Sequence, residues 1–166
     1  MIKLDGKDIQ ILKMLQEDCK RSIKEIARKI ESPITTVYAK IKRMEEMGII
    51  KSYKAILDAR KLKKGTTAFI LVSFTYRIPG GEKTLSQVEI AKRIRKFPEV
   101  QEVHIIAGDW DMLIKIKCKD VEEVGKFVVE RLRKVEGIEK TLSCLVFKTI
   151  KESTDIDLSE KIKFFT

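Results

Sequence analysis

"SIKEIARKIESPITTVYAKIKRMEEMGII", residues 22–50, contains two helical patterns with one break between them. Ser22 can cap the first, and Glu25 three residues on completes a capping box. Ile23, Ile26, Ala27 and Ile30 then recur at i, i+3, i+4 and i+7, a single apolar stripe. Glu31-Ser32-Pro33 interrupts; Ser32 can cap a second helix and Pro33 suits its first position. That second helix buries Ile34, Val37, Ile41 and Met44 and runs to Gly48, which suits a C-terminal cap. Upstream, Asp5 or Asp8 can begin a supporting helix that carries Ile9, Ile11, Leu12 and Leu15 and ends near Asp18. Two short helices joined by a tight turn, behind a third, make a helix-turn-helix.

The other face of the second helix holds Thr35, Thr36, Ala39 and Arg43, with Lys40 and Lys42 on the shoulders and no acid before Glu45. In this motif the second helix enters the DNA major groove with its N-terminal part. Thr35, Thr36 and Ala39 are therefore expected at base edges, with Ser32 at the helix start. Lys40, Lys42 and Arg43 are expected on flanking phosphates, which position the protein without reading sequence. The charge distribution agrees. Of the net +10, residues 1–64 hold 17 Lys+Arg against 9 Asp+Glu, and the remainder is nearly neutral. A Lys/Glu-rich surface of the kind found in heat-stable proteins would explain the abundance of charge but not this asymmetry.

Residues 49–57, "IIKSYKAIL", read as a strand, and 58–65 as a basic connector whose Lys61, Lys63 and Lys64 suit either phosphate contacts or a solvated linker. From 66 the period changes. "TAFILVSFTYR" is a strand and "IPGGEKT" a loop. "LSQVEIAKRIRKF" is a helix with Leu85, Val88, Ala91 and Ile94 inside. "QEVHIIAG" and "DMLIKIKC" alternate like strands around the tight connection Gly108–Asp111. "DVEEVGKFVVERLRKV" is amphipathic, with Val121, Val124, Val128, Leu132 and Val135 on one face, and "EKTLSCLVFKTI" is a last strand. "RIRKFPEVQEV" and "RLRKVEGIEKT" echo one another where a helix hands over to a strand, so a βαβ unit occurs twice. The class is α+β: a helix-turn-helix domain, then a ferredoxin-like βαββαβ sandwich. Such a sheet leaves one face without helices. Here that face is apolar, which predicts a homodimer and two DNA half-sites roughly 34 Å apart.

Composition excludes other classes. No long apolar run and no signal-peptide layout occurs, so no membrane partner is expected and the cytoplasm is the expected location. Cys19, Cys118 and Cys144 are widely spaced, form no CxxC pair and have His104 as the one histidine. Neither a metal site nor a disulfide framework is indicated; the thiols are expected reduced in a core, and His104 half-buried and structural. No serine or cysteine nucleophile has an evident base, so no catalytic residue is assigned.

Gly108-Asp109-Trp110-Asp111 puts two carboxylates and an aromatic on one loop. This suits an ammonium group between an aspartate and the indole, and equally suits hairpin chemistry with Trp110 as packing.

With these stretches in hand, the chain resembles the Lrp/AsnC (feast/famine) family of transcription regulators. The resemblance rests on "LDGKDIQILKMLQED", "SIKEIARKI", "TTVYAKIKRMEEMGIIKSYKAIL", "IIAGDWDMLIKIKCKDVEEVGKF" and "VEGIEKTLSCLVFKTIKES", nearly all of residues 4–152. It implies a winged-type helix-turn-helix, and a second domain (the RAM type) that senses amino acids and drives assembly. Dimers assembling into octamers or similar rings around a two-fold-symmetric operator follow from it. It also implies an effector bound between dimers near Gly108, Asp109, Trp110 and Asp111, with Trp110 standing where the family has Tyr. Ile106 and Ala107, and Glu122 and Gly125 on the helix expected to face the loop, are further candidates. No cofactor beyond an amino-acid effector is implied. The turn departs from the family's Gly-Leu-Ser, having Glu31-Ser32-Pro33, and the "RIPGGEKTLSQ" loop looks longer than usual. The expected division is 1–50 for DNA, 51–65 strand and linker, 66–151 for regulation and assembly, and 152–166 as a tail, frayed or docked through its terminal phenylalanines on a neighbouring subunit. Two alternatives stand beside a sequence-specific regulator. One is a non-specific architectural DNA-binding protein; the other is an enzyme like the siroheme decarboxylases, which share this two-domain design.

Overall fold

The computed structural model describes residues 4–75 and 85–158. The chain forms two compact units, one of residues up to Ile56 together with the chain from Glu152, the other of Leu57–Lys151.

The first unit contains α1 (Gly6–Glu17), α2 (Ile23–Lys29) and α3 (Ile34–Glu46). Asp5 caps α1 in a reciprocal box: Asp8 N donates to Asp5 Oδ1 at 2.9 Å and Asp5 N to Asp8 Oδ2 at 2.8 Å. Ser22 and Glu25 form the expected box at α2. The three helices close over Ile11, Leu12, Met14, Ile26, Ala27, Ile30, Val37, Ile41 and Met44. Each fully buried aliphatic side chain contributes about 1.5–3 kcal/mol.

Two expectations at the turn are corrected. Pro33 takes the N-cap position of α3 with no side-chain cap, while Ser32 Oγ instead accepts from Lys7 Nζ at 2.5 Å. Lys7 also donates to the Glu31 carbonyl at 3.2 Å, holding Glu31 in the left-handed region at φ 50°. Ile34 is half exposed rather than buried, because the helix begins there before it reaches the core. Gly48 closes α3 as expected, at φ 70°, with Ile49 N donating to the Met44 carbonyl at 2.9 Å.

Residues 51–58 carry no strand. Their side chains suit a sheet, yet among the described residues no segment pairs with them as a strand, and Ile56 and Leu57 are exposed. The chain from Glu152 returns to α1. Gln16 grips Ile156 with both ends of its amide, donating to the carbonyl at 3.0 Å and accepting from the N–H at 2.8 Å. Leu158 packs on the helical core. The terminal phenylalanines lie outside the described residues.

The second unit holds β1 (Thr66–Phe74), α4 (Gln87–Ile94), β2 (Val100–Ile105), β3 (Met112–Cys118), α5 (Val121–Lys126) and β4 (Ile138–Leu145). The sheet runs β2-β3-β1-β4, antiparallel throughout, the ferredoxin-like order. Alternate residues Ala68, Ile70, Val72 and Phe74 of β1 and Met112, Ile114, Ile116 and Cys118 of β3 are buried under the helices with Leu85, Ile90, Ile94, Val124, Phe127, Val128 and Leu132. Past Lys126 the helix widens into a π turn over Phe127–Arg131 and tightens into a 3-10 turn over Leu132–Lys134. The π turn lets Phe127, Val128 and Leu132 face the sheet together. Val121 and Val88, both expected inside, are instead more than half or half exposed, and Ile90 and Phe127 fill the core in their place. The "IPGGEKT" loop lies outside the described residues.

The pairings Leu71↔Leu113, Leu71↔Leu142 and Phe69↔Cys144 put these side chains together on the helix-free face. Glu102, His104 and Lys115 border that band, Glu102 bonding Lys115 at 3.0 Å and His104 at 3.2 Å. His104 is thus an exposed residue hydrogen-bonded to Glu102, not half-buried. Of the cysteines only Cys118 is in a core; Cys19 and Cys144 are exposed.

Candidate nucleic-acid interface and effector loop

Helix α3 presents Thr35, Tyr38, Ala39 and Lys42 at i, i+3, i+4 and i+7, all exposed, with Thr36 and Arg43 beside them. Tyr38, not among the residues expected at the DNA although it lies three positions from Thr35, is 55% exposed on a helix whose opposite side is sealed. Ser32, tied to Lys7, stands at the edge of this surface. Lys24 and Arg28 of α2 line an adjoining groove of about 770 Å³ with Ser32, Pro33 and Ile34.

The three α3 cations are not equivalent. Lys42 makes no ion pair among the described residues. Lys40 Nζ lies 2.5 Å from Asp5 Oδ2 and 3.0 Å from Asp8 Oδ1, and Arg43 Nη2 lies 2.6 Å from Asp8 Oδ2. Asp8 is fully buried, so its charge needs both partners. The Lys40 hydrogen bond is the main reason the exposed Asp5 carboxyl falls to about 2, with backbone N–H bonding and proximity adding to it. Burial pulls Lys40 down, but its bonds to Asp5 and Asp8 outweigh that and leave it raised. Among the linker lysines, Lys64 pairs with Glu123 at 2.7 Å.

In the loop between β2 and β3 the two carboxylates have separate tasks. Asp111 is committed: Oδ2 accepts from Phe74 N at 2.9 Å and Oδ1 from Gln87 Nε2 at 3.0 Å. Its backbone bonds Val72 and Ile106, anchoring the loop to the end of β1. Asp109 is exposed, and no group among the described residues hydrogen-bonds it. Gly108, at φ 128°, makes the bend that a side chain would resist. Trp110 turns to the start of β4, where it lines a cleft of about 570 Å³ with Arg133, Ile138, Glu139, Lys140, Thr141 and Leu142. Arg133 Nε donates to Thr141 Oγ1 at 3.1 Å, fixing the guanidinium beside the cleft. No local sequence signal pointed to this grouping, because it depends on β4 pairing with β1.

Ile106 is half-buried and Ala107 exposed at the loop's entry. Glu122 and Gly125 are not brought to the loop within one protomer. They lie just past the far end of β3, whose seven residues span roughly 20 Å; Glu122 pairs with Lys126 at 2.8 Å. Among the described residues no cluster of His, Cys, Asp or Glu could hold a metal, and no helix is long and apolar enough to cross a membrane.

Comparison with known proteins places these two surfaces in separate families of domain. A winged helix-turn-helix DNA-binding model matches residues 4–51, and the Lrp/AsnC ligand binding domain matches residues 67–156. The chain is 40% identical over 149 residues to an uncharacterized HTH-type transcriptional regulator of Pyrococcus furiosus, covering 90% of this chain and 96% of the relative. It is 34% identical over 157 residues to the HTH-type transcriptional regulator FL11 of Pyrococcus horikoshii, covering 95% and 98%. Among solved structures, a transcriptional regulator from Neisseria meningitidis in complex with L-Met superposes with a TM-score of 0.85 at 28% identity, covering 95% of this chain and 98% of that one.

Proposed function

The chain belongs to the Lrp/AsnC family of DNA-binding transcriptional regulators, and from that premise we propose that it reads a two-fold-symmetric operator through α3 under the control of a free amino acid. The observation that carries the DNA half is the exposed stripe Thr35–Tyr38–Ala39–Lys42 opposite a sealed core. Thr35, Thr36, Tyr38 and Ala39 would approach bases, and Lys42 a phosphate. Ser32, Lys40 and Arg43 would lie at the same surface, with their polar groups already engaged within the domain.

The effector half rests on the loop. Asp111 stiffens it, Asp109 offers an uncommitted carboxylate for an α-ammonium, and Trp110 with Arg133 supplies a ring and a cation in one cleft. The Neisseria relative bound to L-Met supports an amino acid as the ligand class. Ile106, Ala107 and Gly108 would shape the entry. Glu122 and Gly125 would join only from a neighbouring subunit. The apolar band of Leu71, Leu113, Leu142 and Phe69 is the surface a second copy would cover, giving a homodimer able to build octamers.

The test is binding to genomic fragments, the protein's own promoter among them, at physiological salt with each of the twenty amino acids in turn. A discrete footprint that shifts with one amino acid is the expected result. Equal, salt-limited binding to all fragments with no response to any amino acid would replace this reading with an architectural one.

A further inference from the structure

Helix α3 carries three cations, yet the first unit places two carboxylates directly against two of them. Asp8 is the one charged side chain fully buried among the described residues, and it faces Lys40 and Arg43. Asp5 adds a second carboxylate on Lys40 from the solvent side, its own side chain 59% exposed. The four groups sum to zero charge. Their donors are used as a phosphate would use them: an ammonium between two oxygens, and a guanidinium on a carboxylate.

We propose that Asp5 and Asp8 act as an internal substitute for DNA phosphate, holding Lys40 and Arg43 back so that random DNA is bound weakly and base contacts must carry recognition. Affinity for arbitrary sequence comes from counterions released by cationic contacts, about 0.9 in salt slope for each phosphate neutralised. Cations already neutralised inside the protein release none. Lys42, unpaired, is left as the main phosphate contact of α3. Asp8 sets the geometry and cannot leave without exposing a buried charge deficit. Asp5 is the adjustable member, because it is exposed and Lys40 is the one cationic group it pairs with among the described residues.

The inference rests on α3 being the DNA-facing helix. It is tested with Asp5→Asn, which keeps a good N-cap for α1 while removing the charge; Asp5→Ser serves equally if the first variant folds poorly. Binding is measured from 50 to 300 mM salt on a random-sequence duplex and on a duplex selected from a random pool by the unaltered protein. The expected result is several-fold tighter binding to random DNA, a salt slope steeper by about 1, and a smaller ratio of selected to random affinity. Asp5→Glu should restore the original slope, and Glu136→Gln, an equal charge change in the other unit, should not reproduce the effect. An unchanged slope, or weaker binding to both duplexes, overturns the proposal. Lys42→Ala run in parallel separates the two failures. If it lowers the slope while Asp5→Asn changes nothing, α3 faces DNA but the carboxylates do not restrain it. If neither variant moves the slope, the placement of α3 is wrong and the proposal falls with it.

Discussion

Gly137 stands at φ 92°, and a Cβ added there would meet Leu85 Cδ1 at 2.8 Å and Ile90 Cδ1 at 3.0 Å. The left-handed backbone disfavours any side chain, and the ends of Leu85 and Ile90 would have to shift to admit one. Gly137→Ala should therefore destabilise the second unit by about 1–3 kcal/mol, chiefly through left-handed strain; the urea midpoint reads this directly. Asp5 gives a second residue-scale test. Its folded-state carboxyl, at about 2, lies below the ordinary 3.8, so its contribution is complete above about pH 4 and is lost as pH falls toward 2. Urea midpoints taken between pH 2 and 5 should decline more gently for Asp5→Asn than for the unaltered chain.

At the scale of the element, α3 was largely legible in its sequence because its evidence is periodic and local. Val37, Ile41 and Met44 announce the buried side, Gly48 the end, and Thr35, Ala39 and Lys42 the open side. What escaped was non-local. Nothing near Lys40 or Arg43 in sequence points to Asp8, which lies on another helix 32 and 35 residues away. The same limit misplaced Val88 and Val121. Each belongs to an apolar pattern, but the sheet beneath decides which neighbour turns inward, and it selected Ile90 and Phe127. Residues 49–57 have a strand's composition, and composition cannot supply the partner that makes a strand. The functional consequence for α3 is measurable: Lys42→Ala should weaken binding to all DNA alike and make the salt slope shallower by about 1, whereas a loss confined to one sequence would assign Lys42 to base reading.

For the whole molecule, the order of the domains and the topology of the sheet followed from alternating periods alone, since each element is amphipathic in the sense its place requires. The helix-free face is where that logic continues outside the protomer. Leu142, 46% exposed on β4, sits on the apolar band but outside the helix-covered core, so Leu142→Glu should leave the fold intact. It should convert the proposed homodimer to a monomer in sedimentation velocity at micromolar concentration, and an unaltered sedimentation coefficient would place the interface elsewhere. Loss of the dimer would also remove simultaneous contact with two half-sites, so operator binding should fall far more than binding to a single half-site.

The unequal burial of the three cysteines gives the protein its own set of reporters. Cys118 is sealed under the sheet's helices, and burial raises its thiol to about 11, so it should ignore a maleimide until the second unit opens. Cys19 lies on the surface of the first unit, and Cys144 on the face expected to meet a second copy. Mass spectrometry after timed alkylation would then read three clocks in one chain: a prompt adduct at Cys19, one at Cys144 whose rate falls as protein concentration rises, and a slow one at Cys118 that keeps time with the opening of the second unit.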